Sequence, residues 1–138
     1  MNKTLGMLIN SSGNEEHDLV SHVFKMIKHK KINLCIFSKN VYNFSTFDSC
    51  VMSAGTLQSF NGDLITFCTE DTIFALENKR AYNIKHIVST SSIRDIFKLF
   101  SYNSENIEYL SVGQNLFENY HKCLMLEKMR TVEEYINE

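Results

Sequence analysis

The sequence contains no proline and no tryptophan, and other absences narrow the classes of protein that it encodes. Positive charge is not in excess, because 14 Lys and Arg face 16 Asp and Glu, so the electrostatic footprint of a nucleic-acid-binding protein is missing. The apolar run Leu5–Ile9 is too short for a signal peptide or a membrane span. We therefore expect a cytoplasmic protein that binds neither nucleic acid nor a membrane.

The four cysteines lack the C-x-x-C spacing that is typical of metal and redox motifs. Two of them lie inside apolar runs, where a free cysteine packs as a small hydrophobic residue. This interpretation predicts reduced thiols and no metal site, and a zinc site or a catalytic thiol is the alternative. The cysteines are Cys35, Cys50, Cys68 and Cys123.

The 138 residues, 43% of them hydrophobic, are enough for one ordinary core, so we expect one domain over 1–138 with a helical extension at 124–138. Five short apolar runs predict strands. The runs in "INLCIF" and "DLITFC" are nearly continuous rather than alternating, which is typical of parallel strands covered on both faces. The five are Leu5–Ile9, Ile32–Phe37, Leu64–Cys68, Ile84–Val88 and Ile107–Val112.

Helical periods separate the strands, in "EEHDLVSHVFKMIKHK", "EDTIFALENKRAYN", "SSIRDIFKLF" and "NLFENYHKCLML". The first carries a single apolar stripe that includes Leu19, Val23 and Ile27. Residues 45–60 also fit a helix, although Gly55 weakens it. The alternation predicts an α/β fold: a single doubly wound Rossmann-like domain whose five-stranded parallel sheet has helices on both faces.

The C-terminal residues present two alternatives. Thr131 and Glu134 have the spacing of a capping box, which predicts a helix break near Arg130. Val132 and Ile136 then pack either on this sheet or on another chain, because apolar surface needs a cover. The second alternative predicts a protein partner or a homo-oligomer formed through the C-terminal segment.

Small polar residues follow the predicted strands, at the edge where open α/β sheets bind ligands. Hydroxyl and amide groups there suit a sugar, a nucleotide or another phosphate-bearing ligand, whereas helix caps and turns require the same residue types. Acidic residues after the central strand stand where a general base can act, or they simply begin a helix. The candidate ligand-binding residues are Asn10, Ser11, Ser12, Gly13, Asn14, Thr69, Glu70, Asp71, Thr90, Ser91, Ser111 and Gln114.

Known phosphate and cofactor motifs are missing. "GMLINSSG" has neither the glycine spacing nor the Gly-Lys-Ser/Thr of a P-loop, and it is not G-x-G-x-x-G. A receiver domain needs acids after the first strand, where this chain has Asn10. "SSGNEE" superficially resembles a flavodoxin loop, but Glu15 would repel the FMN phosphate. The sequence therefore predicts no cofactor.

Most of the chain is similar to the N-terminal, acceptor-side half of glycosyltransferases with the two-domain GT-B architecture. The similarity lies in "GDLITFCTEDTIFALENKRAYN", in "IKHIVSTSS", and in "IEYLSVGQNLFENY", where Ser111, Leu116 and Tyr120 match the pattern. The resemblance implies a Rossmann-like domain that binds a sugar or nucleotide ligand.

Three departures from that family matter. The first loop has only Gly13 where the family usually has a second glycine, and Ser91 and Ser92 replace a frequent histidine. The donor-binding C-terminal domain is missing from this sequence. We therefore expect a domain that is incomplete as a catalyst on its own and glycosyltransferase-like only with a donor-binding partner. The alternative is a non-catalytic protein-interaction or assembly module.

Overall fold

The computed structural model describes residues 3–10, 14–28, 30–38, 50–53, 60–77, 83–88, 96–99, 101, 107–111 and 129–138. Within these ranges the strands are β1 (Lys3–Leu8), β2 (Ile32–Ser38), β3 (Cys50–Ser53), β4 (Asp63–Thr66), β5 (Ile84–Val88) and β6 (Ile107–Ser111). The helices in the same ranges are α1 (Asn14–Ile27), α2 (Thr69–Glu77), α3 (Ile96–Leu99) and α4 (Val132–Ile136).

All described strands join one sheet in the order β3-β2-β1-β4-β5-β6, and every neighbouring pair is parallel. This is the strand order of dinucleotide-binding Rossmann folds, with β1 at its centre. The predicted α/β class and parallel sheet are thereby confirmed. All five predicted strands are present within two residues of their expected ends.

The sixth strand, β3, corrects the sequence interpretation. The helix predicted over 45–60 is wrong at Cys50–Ser53, which pair in register with Cys35–Ser38 of β2. The edge of β2 offers unpaired backbone N–H and C=O groups, and satisfying them outweighs a weak local helix preference. The flanking residues 45–49 and 54–59 lie outside the described ranges.

Two apolar layers cover the sheet. On one face, α1 and α4 pack over alternate residues of the strands, among them Leu5, Met7 and Ile65. The predicted apolar stripe of α1 is confirmed, since Val20, Val23 and Ile27 are buried and Leu19 and Phe24 pack beside them. On the other face, α2 packs through Ala75, Phe74 and Leu76. Helices therefore lie on both faces, as expected for a doubly wound fold.

The C-terminal segment packs on this chain's own sheet. The predicted break is confirmed, because the Glu134 N–H donates to Thr131 Oγ1 at 3.1 Å and α4 begins at Val132. Just before it, the Ser111 N–H donates to the Arg130 carbonyl at 3.0 Å and extends the pairing at β6. Val132 and Ile136 are buried in the same core as β1. The predicted helix over 115–126 lies outside the described residues.

Candidate functional site at the strand switch point

The strand order reverses beside β1. The chain runs outward from β1 through β2 to β3, then returns to the other side of β1 with β4 and continues to β6. In open α/β sheets the carboxyl ends of the two strands at such a switch point flank the ligand-binding crevice. Here the switch point lies between β1 and β4, so its walls are the residues after Leu8 and after Thr66.

A long-range hydrogen bond joins these two walls. The backbone N–H of Asn10, just beyond β1, donates to Asp71 Oδ2 at 3.2 Å, although the two residues are 61 positions apart. Asp71 lies in the first turn of α2 and is only 3% exposed. Glu70, its neighbour, is exposed. The helix-start interpretation of these acids therefore suits Glu70, whereas Asp71 is a buried group at the switch point.

The first turn of α2 adds polar groups at the same edge. The Thr72 N–H bonds to the Cys68 carbonyl at 3.1 Å, so the helix starts directly after β4. The Cys68 thiol is hydrogen-bonded to the backbone of Glu70 and Asp71. Thr69 is 4% exposed, and its Oγ1 has no hydrogen-bond partner among the described residues. A buried hydroxyl without a partner is costly, which marks this position as unusual.

Beneath that turn lies a buried network around His86. Its Nδ1 is 2.8 Å from Thr72 Oγ1 and 3.0 Å from Thr66 Oγ1, and the two hydroxyls are 2.6 Å apart. Thr72 Oγ1 also donates to the Cys68 carbonyl at 3.2 Å. In the described part of the chain, His86 Nε2 has no hydrogen-bond partner. The network ties α2 to β4 and β5, so it positions the first turn of α2 over the carboxyl edge.

The electrostatics of these groups limit their chemistry. Complete burial lowers the pKa of His86 to about 4, so the imidazole is neutral at physiological pH. Burial raises the pKa of the Cys68 thiol, which outweighs the backbone hydrogen bonds from Glu70 and Asp71, and the charges of those two carboxyls raise it further. A thiol in this environment is a poor nucleophile.

The predicted ligand-binding residues divide into four groups. Asn10 and Asp71 are brought into contact, and Thr69 and Glu70 lie in the same turn of α2 as Asp71. Ser111 ends β6, three strands from β1 and thus roughly 14 Å away at the usual strand spacing. Asn14 is the first residue of α1, where only its backbone is described. Ser11, Ser12, Gly13, Thr90, Ser91 and Gln114 lie outside the described residues.

None of Thr66, Thr72 and His86 is among the ligand-binding residues predicted from the sequence. The available signal was a polar residue in the apolar strand "IKHIV", because a buried imidazole needs a hydrogen-bond partner. Hydroxyl residues at both ends of "TFCTEDT" are such partners. Their joint role becomes visible only when β4 and β5 pair and place Thr66 beside His86.

No group of three His, Cys, Asp or Glu side chains in the described ranges is arranged to hold a metal ion. Nor does any helix in those ranges have the length and apolar character needed to cross a membrane. No protein-family description, curated protein or solved structure matches this chain. The fold and the groups at the switch point are therefore the observations that bear on function.

Proposed function

We propose that this protein binds a small sugar, nucleotide or phosphate-bearing ligand at the switch point between β1 and β4, and that it is incomplete as a catalyst on its own. The observation that carries the proposal is the Asn10–Asp71 hydrogen bond at the reversal of the strand order. In folds of this topology that position is the ligand site. The proposal agrees with the similarity to the acceptor-side half of GT-B glycosyltransferases. The short apolar run Leu5–Ile9 and cysteines within apolar runs lead us to place the protein in the cytoplasm.

Thr69→Val offers a direct test. The Thr69 hydroxyl is buried without a described partner, so its replacement by an isosteric methyl group should leave the free energy of unfolding nearly unchanged. If a ligand uses that hydroxyl, the same substitution should lower the affinity about tenfold, as expected for one lost hydrogen bond. Thr4→Val, exposed on β1 at the opposite edge of the sheet, is the matched control.

The experiment combines a thermal-shift screen with backbone amide NMR. Monosaccharides, nucleosides, nucleotides and nucleotide-sugars are added at millimolar concentration, and chemical-shift changes should centre on Asn10 and on residues 68–72. Shifts centred on the amino ends of the strands, or no stabilisation by any compound of the panel, would refute the proposal.

The assembly-module alternative has weaker support. It is motivated by the missing phosphate and cofactor motifs and by the apolar C-terminal segment, in which Val132, Tyr135 and Ile136 are buried against this chain's own sheet. A protein partner or a homo-oligomer formed through the C-terminal segment stays a prediction from sequence. We therefore assign ligand binding as the function that the geometry supports best.

A further inference from the structure

We propose that the switch-point site selects an uncharged ligand through a vicinal diol, from a sugar ring or from the ribose of a nucleoside, and disfavours its phosphate ester. This inference rests on the proposed function, because it specifies the ligand class of the same site. It narrows a choice that the sequence left open between sugars, nucleotides and other phosphate-bearing molecules.

The backbone N–H that follows β1 is already engaged by an anionic side chain. Backbone N–H groups at this place in a Rossmann-like fold face the phosphate when one is bound. In this protein the Asn10 N–H is directed at a carboxylate oxygen of Asp71 instead. A buried anion therefore already lies where a phosphate would need donors.

The charge carried by the described residues at the switch point is negative. Among the described residues directly after β1 and β4, the charged ones are Glu70 and Asp71, and both are acidic. No arginine or lysine stands among these residues to offset a phosphate. Repulsion between like charges at close range weakens binding by about fivefold or more.

The hydrogen-bonding capacity of Asp71 and Thr69 suits a diol. A carboxylate accepts several hydrogen bonds at once, so the bond from Asn10 is compatible with a ligand hydroxyl that donates to Asp71. Thr69 lies three residues before Thr72 and thus on the same side of α2, one turn nearer the carboxyl edge. Its buried Oγ1, which lacks a described partner, both donates and accepts. Two adjacent hydroxyls of a ligand match this pair of groups.

The experiment compares each neutral compound with its own phosphate ester. Dissociation constants for glucose against glucose 1-phosphate, and for uridine against uridine monophosphate, are measured by NMR titration on the full chain. The wild type should bind the neutral member of one pair about tenfold more tightly, and the pair that responds identifies the source of the diol.

Asp71→Asn tests the cause of that preference. The amide oxygen still accepts the Asn10 N–H, whereas the negative charge is removed, so the preference should fall to about threefold or less. Glu77→Gln removes an equal charge from the exposed far end of α2 and should leave the preference unchanged. Far-UV circular dichroism and the melting temperature establish that both variants fold.

The outcomes separate the two proposals. Tighter binding of a phosphate ester by the wild type would overturn the neutral-diol inference and leave ligand binding at the switch point standing. A preference for the neutral compound that Asp71→Asn does not change would also overturn the inference, since the carboxylate would not be its source. Failure of all four compounds and of the wider panel to bind would overturn both.

Discussion

At the scale of single residues, His86 shows how a polar side chain becomes part of this core. Its side chain is completely buried, its Nδ1 lies within hydrogen-bonding distance of two threonine hydroxyls, and its ring lies edge-on to Tyr109 at 5.9 Å between centroids. The burial lowers its pKa from 6.5 to about 4, because a charged imidazole there would lose its hydration. The folded protein therefore holds His86 neutral while the unfolded chain protonates it more readily.

This difference predicts an acid-sensitive stability. The stabilisation of the folded state that is linked to neutral His86 is complete above pH 6.5. It is lost as the pH falls toward 4, since the unfolded chain takes up the proton first. Protonation of the unfolded state lowers the free energy of unfolding by roughly 3 kcal/mol over that range, because each tenfold change in an equilibrium is about 1.4 kcal/mol. Urea unfolding at a series of pH values measures the loss.

His86→Gln should flatten the stability profile between pH 6.5 and pH 4, because the variant has no titrating group at this position. His22→Gln serves as the control, since His22 is exposed on α1. A profile for His86→Gln that remains as steep as that of the wild type would assign the acid sensitivity to other groups.

At the scale of elements, α4 is held to the sheet by ion pairs as well as by its apolar face. Arg130 donates to both oxygens of Glu108, with Nε–Oε2 at 2.5 Å and Nη2–Oε1 at 2.9 Å, and Lys85 Nζ lies 2.9 Å from Oε1. The ring of Tyr135 has both cations about 5 Å from its centre, and its hydroxyl donates to Asp63 at 2.5 Å. Side chains from β4, β5 and β6 thus converge on the segment that leads into α4.

The same cluster predicts a second and lower pH window. Hydrogen bonds from Arg130, and then those from Lys85, hold the pKa of Glu108 near 2 against an ordinary value of 4.5, despite its partial burial. The stabilising effect is present above pH 4.5 and is lost as the pH falls toward 2. Amide hydrogen exchange of Val132–Ile136 should therefore accelerate in that range relative to exchange in β1.

Glu108→Gln distinguishes the pH dependence caused by Glu108 from the pH dependence caused by His86. The variant should expose α4 to faster exchange already at pH 6, and it should lose the pH dependence below 4.5. Glu133→Gln, exposed on α4, keeps the ion pairs and is the matched control. Unchanged protection of α4 in Glu108→Gln would show that apolar packing alone holds the helix.

At the scale of the whole molecule, β1 is the centre of the structure. It pairs with β2 along its full length and with β4 over Leu5–Leu8, and its side chains enter both apolar layers. β3 pairs with β2 and stands at the edge of the sheet formed by the described strands. Residues from β1 and α4 belong to one core, so elements near both ends of the described chain contribute to it.

This arrangement predicts the order of local stability. Amides of Leu5–Leu8 should exchange most slowly, at the rate of global unfolding. The reason is that β1 has a paired strand on each side and an apolar layer on each face. Amides of Cys50–Ser53 should exchange at least tenfold faster, since an edge strand opens without disrupting the core. Equal protection of the two strands in native-state exchange would contradict the proposed edge position.

Features that depend on residues close together in the sequence were predictable, and features that depend on long-range pairing were not. Strands, the stripe of α1 and the cap at Thr131 were predictable, because alternation, helical period and capping depend on residues within a few positions of one another. The strand at Cys50–Ser53 was not, since its partner groups come from β2. The position of Asp71 after a strand predicts its place in the candidate site, but no local sequence pattern indicates that its side chain is buried.

By itself, the sequence determined that apolar runs and amphipathic helices alternate, and this alone favours a parallel sheet with helices on both faces. The tertiary structure decided which polar groups meet. Asn10 and Asp71 are 61 positions apart and come into contact only because β4 returns to pair with β1. Likewise, His86 reaches its threonine partners only through the pairing of β4 and β5. Site chemistry is set by strand order, and strand order is fixed by long-range pairing that no local pattern encodes.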